Sequence, residues 1–216
     1  MKSMIMEIKQ RDIRIQRNPN SSSQYKFLWS MNIPILPAFS VEYFSVQVGG
    51  SIGVSGAEDT IKGDNLIVAS MYDLEAVLEY DISVILHFHG IRDYSLLFPW
   101  IDNTELRNRV GKFYEEAEKN FEQGAWLSFA LMCGAVFEGM LYAKLNMPQN
   151  NTFFDMITEA YKKSRIINLQ QKEIMNDVRH ARNLIHSNKF NLDYITRKKA
   201  MDIMSTMNKL IKQFAY

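Results

Sequence analysis

The chain has 216 residues, 47% of them hydrophobic and 23% charged, with a formal net charge of +1. That composition supplies one large packed core or two small ones and places the chain among ordinary globular proteins. No apolar run reaches the roughly eighteen residues of a membrane helix, Glu7 interrupts the start before a signal-type stretch develops, and the single Cys133 excludes an internal disulfide, so a soluble cytoplasmic protein is expected.

The first hundred residues carry a period of two. Ile13 and Ile15 begin it, Phe44, Val46 and Val48 repeat it, and Leu78, Tyr80, Ile82, Val84, Leu86 and Phe88 alternate with polar residues over 76–90, as half-buried strands require. Turn formers separate these runs: Asn18-Pro19-Asn20-Ser21-Ser22-Ser23, the glycines between Gly49 and Gly56, and Gly63-Asp64-Asn65. The segment 65–77 reads equally as strand or short helix. The Gly49–Gly56 stretch has the composition of a phosphate loop but lacks its spaced lysine, so it is read as a hairpin turn. His87 and His89 share one side of the 76–90 strand with Asp81. Without a third close ligand they read as a polar strand face, and no metal or other cofactor is expected. Residues 1–100 are therefore expected to form a small, mostly antiparallel β-domain, with Pro99 and Trp100 marking the junction.

After Trp100 the period becomes helical. Thr104 caps a first helix with a stripe of Leu106, Val110, Phe113, Ala117 and Phe121, which Gly124 ends. Trp126, Phe129, Ala130, Cys133, Val136, Phe137, Met140 and Leu141 make the stripe of a second, which stops near Pro148. A third, near 152–163, carries Phe153, Met156, Ile157 and Ala160. The fourth, about 170–187, is expected to bury Ile174, Val178, Ala181 and Ile185, and the fifth, about 192–214, Ile195, Ile203, Met204, Met207, Leu210 and Phe214. Short connections between amphipathic helices favour an antiparallel bundle over residues 101–216. The fold class expected for the whole chain is thus α+β.

Charge is unevenly divided. Residues 1–100 hold 8 Lys+Arg against 11 Asp+Glu, whereas residues 161–216 hold 12 against 4. A basic C-terminal quarter makes a polyanion such as RNA a candidate partner. Within it, Arg179-His180-Ala181-Arg182-Asn183-Leu184-Ile185-His186 places two arginines, an amide and an imidazole on the fourth helix. Positions three, four and seven apart share a helical face, so Arg179, Arg182 and His186 are expected to line up at the edge of the buried stripe, with Asn183 beside them.

The run Phe113-Tyr114-Glu115-Glu116-Ala117-Glu118-Lys119-Asn120-Phe121-Glu122-Gln123-Gly124-Ala125-Trp126, followed by Ala135-Val136-Phe137-Glu138-Gly139-Met140-Leu141 and by Arg182-Asn183-Leu184-Ile185-His186, resembles the HEPN superfamily, in particular its bacterial branches. The resemblance covers residues 103–214. It implies a helical bundle, commonly dimeric, and a metal-independent endoribonuclease of the kind found in bacterial defence and toxin–antitoxin systems, with an antitoxin or other protein as a further partner. The family's signature is an arginine, often followed by a polar residue, with a histidine several positions on. Arg179 and His186 are separated by six residues, whereas Arg182-Asn183 supplies the arginine–polar pair with three residues before His186. Either arginine fits the role.

In such a site the 2′-hydroxyl of RNA is the nucleophile. His186 would move protons, since an imidazole exchanges them near neutral pH. Arg179 or Arg182 would grip the phosphate oxygens in a bidentate fork, and Asn183 would orient the imidazole or the phosphate. One helix supplies one such histidine, so a symmetric homodimer is expected to complete the site. The alternative is a non-catalytic dimeric binding or regulatory module, with Arg182 and His186 capping carbonyls and a carboxylate buried on the second helix, Glu138, as the arginine's structural partner. In that reading the β-domain recognises a partner or ligand.

Overall fold

The computed structural model describes residues 1–20, 22–54, 58–73, 80–146, 150–189 and 191–216. The class is α+β: among the described residues, eight strands precede five α-helices. The chain divides into two compact units, Met1–Asp93 and Tyr94–Tyr216. The division falls before the Pro99-Trp100 junction expected from sequence, for a packing reason. Tyr94–Leu97 forms a 3-10 turn, Tyr94 donates its hydroxyl to Glu118 Oε2 at 2.6 Å, and Phe98 is fully buried with its ring edge-on to Tyr114. These residues belong to the helical core.

In the first unit, β1 (Lys2–Ile8), β8 (Ile82–Ile91), β4 (Phe39–Val48) and β5 (Ser51–Val54) form one antiparallel sheet in that order. The second sheet runs β2 (Ile13–Arg17), β3 (Phe27–Asn32), β7 (Asn65–Ser70), β6 (Thr60–Lys62). Register converts the period of two into buried rungs: Met6 lies opposite Val84, which lies opposite Val46, and all three are buried. Ile13, Met31 and Leu66 do the same across the second sheet. The ambiguous stretch resolves as strand over Asn65–Ser70, because β3 pairs with it along its length. The long strand expected from residue 76 begins at Ile82; Leu78 lies outside the described residues, and Tyr80 is exposed in a bend. Gly49 and Gly50, at φ 57° and 81°, turn β4 into β5. Two successive left-handed residues match the twist of a hairpin, which is why glycines occupy both positions.

The helices follow from stripes and caps. α1 (Thr104–Glu122) starts on Asn103, one residue earlier than the Thr104 expected, because the Asn103 side chain accepts the Leu106 N–H at 2.9 Å. Its inner face is Val110, Gly111, Tyr114 and Ala117, with Phe113 and Phe121 half-buried. Tyr114 enters the core because Asn208 accepts its hydroxyl at 2.8 Å. α2 (Trp126–Leu145) fully buries Phe129, Ala130, Cys133, Val136, Phe137, Met140 and Leu141, and it contacts α1, α3 (Phe153–Lys162), α4 (Leu169–Ala181) and α5 (Arg197–Ala215). By length and composition α2 alone, among the described residues, could cross a membrane, contrary to the sequence reading that no run qualifies. Its apolar surface instead forms the centre of the bundle. Pro148 lies outside the described residues, and Asn146, left-handed at φ 49°, ends α2.

α4 departs most from expectation. It ends at Ala181, not near residue 187, and its buried stripe is Gln171, Met175, Val178 and Ala181. Ile174 is half-buried and Ile185 is 57% exposed. Helices in proteins persist chiefly through packing of an apolar face. Beyond Ala181 no residue on this segment is buried, and the backbone tightens into a 3-10 turn over Arg182–Ile185. α5 likewise begins later than expected, at Arg197, with the Thr196 side chain accepting the Lys199 N–H.

Gly111 marks a close approach: a β-carbon there would lie 2.7 Å from the Ser95 amide nitrogen. Overpacking of this kind costs about 1–3 kcal/mol. Gly111→Ala is expected to lower the urea midpoint accordingly, and an unchanged midpoint would contradict the packing described. Burial also raises the pKa of Tyr114 well above its ordinary value of 10.0, with Glu118 as a lesser cause. The folded state therefore binds the phenolic proton more tightly than the unfolded state. Stability is retained below pH ~10 and falls as pH rises beyond it, where the unfolded phenol ionises first. Urea midpoints measured up to pH ~11 are expected to show this decline, and Tyr114→Phe is expected to reduce it, the remainder coming from Tyr94, whose pKa burial and Glu118 also raise.

Candidate nucleic-acid interface

The Arg179–His186 segment spans three backbone states. Arg179 is in the last turn of α4, Arg182 through Ile185 form the 3-10 turn, and His186 is extended at φ −86°, ψ 122°. The common helical face expected for Arg179, Arg182 and His186 is therefore broken after Arg182. A 3-10 turn has three residues per turn rather than 3.6, and the extended residue leaves the helical path altogether.

Each side chain has its own surroundings. Arg179 is half-buried; its Nε donates to Asn176 Oδ1 at 3.4 Å, its guanidinium lies 5.2 Å from the centre of the Phe154 ring on α3, and its Nη2 is 3.1 Å from His180 Nε2. The planar cation is thus held against an aromatic face. Arg182 Nη2 meets Glu138 Oε2 at 3.2 Å, with side chains 58% and 36% exposed. Glu138 sits at the rim of α2, not buried within it as the apolar sequence around it suggested. The buried positions of that turn are Phe137, Met140 and Leu141. Asn183 is exposed and its carbonyl accepts the His186 N–H at 3.2 Å. The His186 ring is exposed and, among the described residues, makes no hydrogen bond.

The structure thus places Arg182, Asn183 and His186 on one short exposed turn and sets Arg179 apart in a cradle of Asn176, His180 and Phe154. Sequence reasoning passed over that cradle. Asn176 was legible as an i,i+3 neighbour of Arg179, whereas Phe154 comes from another helix and has no local signal. Exposed ion pairs contribute about 0–1 kcal/mol, so the Arg182–Glu138 contact positions the guanidinium without locking it.

Other candidates are engaged separately. His87 stacks on Tyr43 with ring centres 4.2 Å apart and has Ser3 Oγ 2.9 Å from its Nδ1, while His89 Nε2 faces Glu42 Oε2 at 3.1 Å. Among the described residues no group of three or more His, Cys, Asp or Glu side chains is placed to hold a metal ion. Cys133 is buried and burial pushes its thiol pKa up, which disfavours the reactive thiolate.

The chain matches no protein-family model, no curated protein and no solved structure.

Because the Arg182–Glu138 pair is exposed, Glu138→Gln is expected to change unfolding free energy by less than about 1 kcal/mol. A loss of several kcal/mol in a denaturant titration would instead make the pair part of the scaffold.

Proposed function

We propose that the chain is a HEPN-like, cytoplasmic RNA-binding protein that contacts the phosphate backbone through the exposed segment from Arg179 to His186. The observation that carries this reading is the joint exposure of Arg182, Asn183 and His186 on one turn, beside an ion pair weak enough to exchange. The basic C-terminal quarter supports it, with 12 Lys+Arg against 4 Asp+Glu over residues 161–216. A homodimer fits the same reading, since it brings two copies of the turn to one duplex or loop. A bacterial defence or toxin–antitoxin setting follows from the resemblance alone.

Metal-independent cleavage is a second reading, favoured by the exposed His186 ring. In it the imidazole takes the 2′-hydroxyl proton, the resulting oxyanion attacks the adjacent phosphorus, and the bond to the 5′-oxygen breaks. Arg182 steadies the charge on the phosphorane. The 5′-oxygen needs a proton as it leaves, and His186 of a second copy is the available donor.

Filter binding of RNA at several salt concentrations tests the first reading. Arg182→Ala is expected to weaken binding and reduce the salt slope by about 1, whereas an unaffected slope would remove Arg182 from the interface. Incubation of RNA with the protein in EDTA tests the second. Cleavage by wild type and not by His186→Ala supports it; bound but intact RNA with both leaves a non-catalytic binding module.

A further inference from the structure

β2 and β3 pair with Ile13 opposite Met31, Ile15 opposite Trp29 and Arg17 opposite Phe27. Alternation puts all six on one face of the sheet. At the inner rungs Ile13, Met31 and Trp29 are buried. At the last rung the same face ends on an exposed guanidinium and a half-buried phenyl ring. The loop that joins the strands adds Asn18, Asn20, Tyr25 and Lys26, and these residues with Arg17 and Phe27 line a cavity of about 340 Å³.

Its polar groups fall into two sets. One holds the loop: Glu58 accepts from Ser23 Oγ at 2.7 and 2.9 Å and from Asn18 Nδ2 at 3.2 Å, and Asn18 Nδ2 also donates to the Tyr25 carbonyl at 3.0 Å. Asn20 Oδ1 accepts from Ser22 N and Oγ. The other set has no partner. Among the described residues, the Arg17 and Lys26 side chains make no ion pair or hydrogen bond, and the Asn20 amide donors are unused. The nearby carboxylate is occupied by the loop and neutralises neither cation. Glu58 does not line the cavity, and the cations that do are Arg17 and Lys26.

We propose that this cavity binds a single nucleotide, its phosphate on Arg17 and Lys26, its base against Tyr25 or Phe27, and a base edge at the Asn20 amide. Cations that form no internal pair and a prearranged loop are what such a ligand needs, and aromatic rings stack on any base. The volume lies near the lower end of the range of about 300–1,000 Å³ for small-molecule sites, which suits one ring and one phosphate. Residues 1–93 carry 8 Lys+Arg against 11 Asp+Glu, a balance that disfavours a long polyanion. The same chemistry occurs in a free mononucleotide and in one residue of single-stranded RNA, and the free form fits this balance. The site does not depend on the RNA reading of the helical unit.

Isothermal titration of the full chain tests it with the four nucleoside 5′-monophosphates, adenosine, uridine, inorganic phosphate and a single-stranded RNA oligonucleotide. At least one monophosphate is expected to bind at least about tenfold more tightly than its nucleoside or phosphate alone, a difference of about 1.4 kcal/mol. Arg17→Gln with Lys26→Gln is expected to lose at least about tenfold in affinity with an unchanged unfolding midpoint, and Arg17→Lys to retain more. No heat from any monophosphate at millimolar concentration, equal affinity for nucleoside and nucleotide, or full affinity in the folded double variant would overturn the site. An oligonucleotide that binds much more tightly than every monophosphate would overturn the assignment to a free nucleotide.

Discussion

The burial of one face of α4 against the bundle is the constraint on which the candidate interface depends. Gln171, Met175, Val178 and Ala181 keep that helix regular as far as it has something to pack against. Where the stripe ends, the helix ends. The three side chains of greatest chemical interest, Arg182, Asn183 and His186, are thereby delivered to an exposed turn instead of a helical face. α2 sets the other half of the arrangement: its inner residues centre the bundle, and Glu138 is left at its rim within reach of Arg182.

That geometry decides which electrostatic effect dominates. A buried Arg–Glu pair would be costly to break, by several kcal/mol. The observed pair is open to solvent on both sides, where water and salt reduce its contribution to roughly 1 kcal/mol or less. Glu138 therefore pairs with the guanidinium only weakly, which is what the proposed phosphate contact at Arg182 requires. Arg179 is held differently, by an aromatic face and an amide that do not neutralise its charge. The two arginines are both cationic and are not equivalent.

Much of the fold was legible from periodicity because burial has the same period as the backbone. The stripe of α3 was read residue for residue; that of α2 was read but for Trp126, which is half-buried, and Gly134, which is buried. The turn expected over Gly49–Gly56 narrows to Gly49 and Gly50, because Ser51–Val54 pairs with β4 as a strand. The end of α4 was not legible, since Ile185 continues the spacing of Val178 and Ala181, and only the absence of a facing surface stops the helix there. The exchange of Phe113 for Tyr114 on the inner face of α1 has a similar cause. A phenol enters the core because the Asn208 side-chain oxygen, ninety-four residues away, accepts a hydrogen bond from its hydroxyl. The candidate site was legible as composition and not as geometry: its residues are local in sequence, but their partners, Glu138 and Phe154, come from other helices.

The central claim is that RNA meets this chain at the turn following α4. Photo-crosslinking of the full chain to 4-thiouridine-substituted RNA, with the attached peptides identified by mass spectrometry, tests it most directly. The account predicts adducts concentrated between Arg179 and Lys189. Crosslinks confined to other parts of the chain, or none at salt concentrations where RNA-binding proteins ordinarily crosslink, would contradict it.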